Sequence, residues 1–320
     1  MFAARGIAVS LSMFAIIYCI VSLVVVFLWQ RAWVYARRLS ARHASDLLLA
    51  LRMFPLITAA LITSTLTVPS FVLLEPHAID EPLGGVLLAL ASFGLILGLV
   101  GISKAAIALR AASRAVARWT RGARPAESRN SVPVVTVSPA CPAMTVTGIL
   151  RPRILVSRAA ERELTGGELE AALNHELAHV RLADNLKKLL MRFVSFPGMR
   201  GLEAAWLETI ELAADDAAGV TNRDALDLAA ALIKLSLMAP AGAATDLTVA
   251  LVDRPVSSVY ARVERLLARS EERVEVSKKS SRLGGLSLGV AGTFAALVMF
   301  VLAYNQLLLE VHRATEWLVR

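Results

Sequence analysis

Four long stretches without a charged residue dominate the chain: Ile7 to Trp29, Met53 to Leu74, Leu83 to Ser103 and Leu283 to Leu309. A helix crosses a bilayer with about 20 apolar residues, so the pattern predicts four transmembrane helices, three grouped near the start and one near the end. The first run is longer than that of a cleavable signal peptide, and only Gln30-Arg31-Ala32-Trp33 follows it, so it reads as an anchor. Pro55 and Pro69 make the second the least regular, because neighbours must satisfy the carbonyls they free.

Between the third and fourth stretches the pattern changes. Residues 111–130 form an arginine-rich linker whose first half has the character of an amphipathic helix lying on the membrane. Residues 131–282, about 150 in number, are enough for a single core. Three short β-like runs, Val134 to Val137, Met144 to Leu150 and Arg153 to Val156, are separated by prolines and predict a small sheet with a hairpin around Leu150 to Arg153. Everything after them has helical periodicity. Thr165 and Glu168 have the spacing of a capping box, and Leu169, Leu173, Leu177 and Val180 recur on one face of a helix that runs on until Pro197 and Gly198. Further helices are predicted at about Leu202 to Ala218, Asp224 to Met238 and Val256 to Arg269. Strands followed by helices predict an α+β domain.

Composition agrees with a membrane chain, being 56% hydrophobic and only 19% charged. The distribution of bases orients it, since cytoplasmic loops retain lysine and arginine. Arg31, Arg37, Arg38, Arg42 and Arg52 follow the first span, whereas Glu75, Asp80 and Glu81 without a base lie between the second and third. Bases also flank residues 131–282 on both sides, so that domain is expected in the cytoplasm, with the N-terminus and residues 310–320 outside. The net charge of +8 thus gathers at span ends, where topology and attraction to anionic lipid account for it, and direct nucleic-acid binding is not expected. Cys19 lies in the first span and Cys141 in the cytoplasmic segment, so neither a disulfide nor a Cys-x-x-Cys metal site is available. Any metal must be held by histidine and carboxylate.

His175-Glu176-Leu177-Ala178-His179 supplies that chemistry. Histidines four apart share a helix face about 6 Å apart along its axis, so both imidazoles can reach one ion. Zinc takes such nitrogen ligands, and Glu176 lies close enough to take a proton from a water polarised by the metal. A third protein ligand is needed, and Glu211 and Asp215, also four apart, offer a ligand and an acceptor for the distal nitrogen of a ligating histidine. Glu208 competes for the ligand position on the same stripe. Tyr260, the domain's single tyrosine, is a candidate oxyanion stabiliser that could equally pack in the core. Arg181 and Asp184 could orient substrate or pair with neighbours, with pairing preferred, and His43, His77 and His312 read as solvated.

An H-E-x-x-H helix followed by E-x-x-A-D, in a loop between a third and a fourth span, resembles the membrane zinc metallopeptidases of the BlaR/MecR antirepressor type. The stretch RPRILVSRAAERELTGGELEAALNHELAHVRLADNL is similar to that family's strand-helix core, and the resemblance covers essentially the whole chain. It implies a gluzincin-like fold with one zinc ion on His175, His179 and Glu211, Glu176 as general base and Asp215 behind the ligands. It also implies regulated cleavage of a cytoplasmic protein, a BlaI-type winged-helix repressor, by a multi-pass protein of the bacterial inner membrane. Those sensors carry a penicillin-binding domain after the last span, where this sequence has only Glu310 to Arg320, so direct β-lactam binding is not expected. Two other readings compete. HtpX-like quality-control metallopeptidases share both motifs but arrange their spans differently. A non-catalytic zinc-binding membrane transducer would have no need of Glu176 beside its ligands.

Overall fold

The computed structural model describes residues 2–76, 84–129, 131–137, 141–194, 196–238, 249–250, 256–272 and 303–316. Three helical segments among them are long and apolar enough to cross a membrane, Phe2–Ala36, Ala41–Leu74 and Gly85–Trp119. The predicted fourth span, Leu283 to Leu309, lies outside the described residues except for its last turns, which belong to a helix over 303–316. The chain divides into two compact units, one of residues 1–27, 53–100 and 276–320, the other of residues 28–52 and 101–275.

The first unit holds most of α1 (Phe2–Ala36), the second half of α2 (Ala41–Ile62), α3 (Val68–Leu74) and the first half of α4 (Gly85–Trp119). Between α2 and α3 the helix widens into a π-helical segment, Thr63–Thr67. Pro69 has no N–H to give the Thr65 carbonyl four residues earlier, and the Tyr304 hydroxyl donates to that carbonyl at 2.9 Å. A neighbouring helix thereby satisfies a backbone group that lipid could not. The helices α1 and α4 meet through small residues: a Cβ on Gly94 would lie 2.7 Å from the Leu11 carbonyl oxygen, and Ser12 Oγ lies within hydrogen-bond reach of both the Ala8 and Leu87 carbonyls. His312 is not solvated as expected. Its side chain is 14% exposed and lies 3.9 Å from Glu75 and 3.7 Å from Glu316, while Arg5 pairs with Glu75 at 3.2 Å.

The second unit is α+β. Its sheet has the order β1-β2-β4-β3-β5, made of β1 (Arg124–Arg129), β2 (Val132–Val137), β3 (Met144–Thr147), β4 (Arg153–Ser157) and β5 (Val249–Ala250). The predicted hairpin is present, with β3 and β4 antiparallel and Val146 opposite Ile154. Its turn needs Gly148, whose φ is +88° and whose Cβ position lies 2.5 Å from the Arg151 carbonyl oxygen. Strand β4 also pairs in parallel with β2, so it is central. Ile154 and Val156 face the main core, while Leu155 faces the other way onto Ala115, Trp119, Val137 and Cys141. A strand buried on both faces reads as an unbroken apolar run, which is why Arg153-Ile154-Leu155-Val156 shows no alternation.

Two sequence expectations are corrected here. The linker's first half continues α4 without interruption instead of forming a separate helix, and its Ala115 and Trp119 pack against the sheet. Its second half forms β1, antiparallel to β2, so the sheet begins at Arg124 rather than 131. The run RPAESR has no apolar alternation to announce a strand; backbone pairing with β2 determines it.

Helices α5 (Arg158–Glu163), α6 (Gly166–Arg181), α7 (Asp184–Phe193), α8 (Arg200–Ala218), α9 (Asn222–Met238) and α10 (Val256–Glu272) complete the unit. The capping box is formed: the Thr165 N–H donates to Glu168 at 2.8 Å, and Thr165 Oγ1 accepts from the Glu168 N–H. Lys234 of α9 then pairs with the same Glu168 carboxylate at 2.7 Å. Leu177 on α6, Leu228 and Leu232 on α9, and Val263 and Leu266 on α10 join Ile154 and Val156 in one core. The helix predicted to run on to Pro197 instead stops at Arg181. Ala183 takes a left-handed conformation, φ +53°, and α7 starts afresh at Asp184.

Candidate metal centre

Helix α6 carries His175 and His179 on its buried face, one turn apart, and both are essentially inaccessible to solvent. Their Nε2 atoms lie 3.1 Å apart. Each Nδ1 is taken by a carboxylate from a different element: His175 Nδ1 is 3.0 Å from Asp215 Oδ1 on α8, and His179 Nδ1 is 2.7 Å from Asp184 Oδ2 at the start of α7. The His175 contact has ion-pair distance but an angle short of a well-formed hydrogen bond. A carboxylate at Nδ1 fixes the proton there and leaves Nε2 with its lone pair. In the metal-free protein one proton can sit between two Nε2 atoms 3.1 Å apart, and a cation in its place would engage both lone pairs.

Glu211 closes the group. Its Oε2 lies 3.6 Å from His175 Nε2 and its Oε1 3.8 Å from His179 Nε2. One ligand atom from each of His175, His179 and Glu211 falls within 4.8 Å of the others, all three residues are buried, and the group could hold a metal ion. Glu208, the rival for the third position, is exposed. Among residues on one stripe of α8, the helix turns Glu211 and Asp215 inward together because they are four apart.

Glu176 is fully buried, and neither of its carboxylate oxygens has a hydrogen-bond partner. Burial pushes its carboxyl up to about 8, against the attraction of His179. Burial also works against the ionised forms of Glu211 and Asp215. For Glu211 the bond to His175 and the Arg262 charge outweigh it, and the carboxyl lies far below the ordinary range. For Asp215 the Arg262 charge and its hydrogen bond outweigh burial and hold it at about 2. Burial disfavours charge on His175 too, yet Asp215 and Glu211 raise it above the usual imidazole value. A divalent cation on Nε2 displaces that proton and favours the ionised form of every nearby carboxylate.

Arg262 on α10, 5% exposed, is a residue the sequence reasoning missed. Its Nε and Nη2 donate to both oxygens of Asp215 at 2.8 and 2.6 Å, and its Nη1 lies 3.1 Å from Glu211 Oε2. One guanidinium therefore ties the third candidate ligand to the carboxylate behind His175. Its signal is present in the sequence, a cation on the apolar stripe Val259, Val263, Leu266. Next to Asp215 on α8, Asp216 pairs with Arg265 at 2.7 Å and with Arg269, so adjacent aspartates grip α10 at three turns.

Tyr260 is not part of this group. It is 70% exposed, and its position two residues before the buried Arg262 puts it on the opposite side of α10. The structure thus brings His175, Glu176, His179, Glu211 and Asp215 together, leaves Tyr260 out, and adds Asp184 and Arg262. Asp184 pairs with a neighbour, as expected, but that neighbour is a candidate ligand. Comparison of the chain with protein-family models and with curated proteins finds no match.

Proposed function

We propose that this chain is a membrane-bound zinc metalloendopeptidase that cleaves a cytoplasmic protein in regulated proteolysis. The observation that carries the reading is the pair of Nε2 atoms 3.1 Å apart, each imidazole backed by a carboxylate, beside a buried glutamate with no hydrogen-bond partner. Four ligands at about 2.0–2.1 Å from zinc in a tetrahedron stand about 3.3 Å from one another. The two Nε2 atoms stand 3.1 Å apart, Glu211 turns one oxygen to each at 3.6 and 3.8 Å, and one atom from each residue lies within 4.8 Å of the others, a donor set compatible with a small divalent ion such as zinc. Three protein ligands leave a fourth position open, as in catalytic rather than structural sites.

A zinc ion held there supplies Lewis acidity, polarising a peptide carbonyl and making an adjacent water more acidic. Glu176 accepts a proton from that water as its oxygen adds to the carbonyl carbon, and returns the proton to the amine nitrogen as the C–N bond breaks. With neither oxygen engaged by another group, the Glu176 carboxylate is available for both transfers. Asp184 and Asp215 keep the histidine Nδ1 protons in place, and Arg262 keeps Asp215 and Glu211 ionised and oriented.

The bacterial inner membrane, a cytoplasmic catalytic domain with extracytoplasmic termini, and a winged-helix repressor as substrate belong to the same proposal, supported by the positions of the basic residues and the resemblance to BlaR/MecR-type antirepressors. The test is Glu176→Gln, compared with wild type for zinc content and for the cytoplasmic proteins cleaved in cells. Retained zinc with cleavage lost is the expected result. Cleavage at the wild-type rate by the variant would remove Glu176 as the base, and absence of zinc from purified wild type would favour a non-catalytic transducer.

A further inference from the structure

Away from the metal centre, the second unit contains a cavity of about 950 Å³. One wall is a single face of α4, Lys104, Ile107, Ala108 and Ala111, spaced at i, i+3, i+4 and i+7. The rest of the lining comes from the end of α7, with Met191 and Arg192, the connection from Phe196 to Met199, and the start of α8, with Arg200 and Glu203. Arg52 of α2 forms part of the lining as well. The cavity thus combines four cations with one acid, beside apolar surface from Ile107, Met191 and Phe196.

Its place in the chain indicates what it faces. Arg52 is the residue before the uncharged stretch starting at Met53, and Lys104 is the residue after the stretch ending at Ser103. Both therefore stand where hydrocarbon gives way to headgroups, at ends that the bias of bases marks as cytoplasmic. Arg52 is buried and fixed there, donating to the Val194 carbonyl and to Met199 Sδ at 3.3 Å. The start of α8 has no side-chain cap, so its first N–H groups and the positive end of its dipole add to the same field. Cations gathered around a cavity at the level of lipid headgroups match one class of ligand, a phosphate carried by a lipid.

We propose that this cavity binds the headgroup of an anionic phospholipid. Lys104 and Arg200, both exposed side chains of its lining, contact the phosphate, while the acyl chains stay in the bilayer on the other side of Lys104. Arg114 and Arg118 are also exposed on α4 but lie outside the cavity, so they provide a control of equal charge.

The experiment is native mass spectrometry of the full chain released from detergent micelles doped with phosphatidylglycerol, phosphatidylcholine or inorganic phosphate. One phosphatidylglycerol per chain is expected to survive release, and phosphatidylcholine is not. K104Q/R200Q should lower that retention by about thirtyfold, given the contribution of each base near an anionic headgroup. R114Q/R118Q should leave it within about twofold by the same reasoning, and K104R/R200K should retain it, which separates loss of charge from loss of fold. Equal retention by wild type and K104Q/R200Q would overturn the proposal, as would an equal loss in R114Q/R118Q. Displacement of the lipid by millimolar inorganic phosphate would overturn the lipid assignment in favour of a soluble phosphate.

Discussion

Asp184 accepts a 2.7 Å hydrogen bond from His179 Nδ1 across a break between two helices. In an uninterrupted helix, residues five apart point about 140° away from each other, and the pair could not form. The left-handed Ala183 ends α6 and turns the chain so that the first residue of α7 faces back onto the last histidine. Helix α6 thus ends where its second candidate ligand acquires a carboxylate, and the break belongs to the site.

Asp184→Asn should therefore weaken metal binding while leaving the fold intact. The amide matches the carboxylate in shape but not in charge, and loss of such a partner behind a histidine ligand costs about 10–100-fold in affinity. Competition with a chelator of known zinc affinity measures it. An unchanged zinc constant would mean that Asp184 only anchors the start of α7.

The backbone at Ala183 makes a separate prediction. A left-handed residue other than glycine costs about 1–2 kcal/mol, and glycine returns part of that as added freedom in the unfolded chain. Ala183→Gly should leave stability within about 1 kcal/mol of wild type and zinc affinity unchanged. Ala183→Val, β-branched at φ +53°, should lose both together. Chelator competition and thermal unfolding on the same samples would reveal any separation of the two effects.

The difference between what the chain announces and what folding adds is clearest in these residues. His175, Glu176 and His179 are legible because their spacing is that of one helix turn, and Glu211 with Asp215 for the same reason. Local periodicity carries all five. Asp184 depends on a backbone reversal at a residue with no turn propensity, and Arg262 on a contact between α8 and α10, some 47 residues apart in sequence. Neither is a matter of local spacing. Strand β1 is not legible because backbone pairing with β2 defines it, and the exposure of Tyr260 is not legible because an inventory of residue types says nothing about which side of α10 faces the metal centre.

Arg262 carries a stability prediction. Arg262→Met would leave Asp215 and Glu211 buried without their cation, and breaking a buried ion pair costs about 3–5 kcal/mol. Arg262→Lys restores charge but not the fork that reaches both oxygens of Asp215, so it should recover only part of the loss. Excess zinc should narrow the gap for Met, because the ion supplies positive charge to Glu211 in the folded state alone. Chemical unfolding with and without chelator measures all three, and a Met variant as stable as wild type in chelator would show that the two acids do not need the guanidinium.

The last prediction concerns metal-free protein and the sign of its pH dependence. Burial raises the folded carboxyl of Glu176 to about 8, above the ordinary value of 4.5 that it regains on unfolding. Between those values the folded state holds a proton that the unfolded state has lost, so the contribution of Glu176 to stability is whole below 4.5 and falls steadily as pH rises towards 8. Glu176→Gln cannot ionise and has no such fall. In chelator, the variant and wild type should therefore unfold at similar temperatures near pH 4.5, and the variant should become progressively the more stable of the two as pH approaches 8. Zinc should shrink the difference, since the ion favours ionised Glu176 in the folded state. A wild-type curve parallel to that of the variant across this window would mean that Glu176 is not held in an apolar, unpartnered position, and the case for it as the proton acceptor would lose its physical basis.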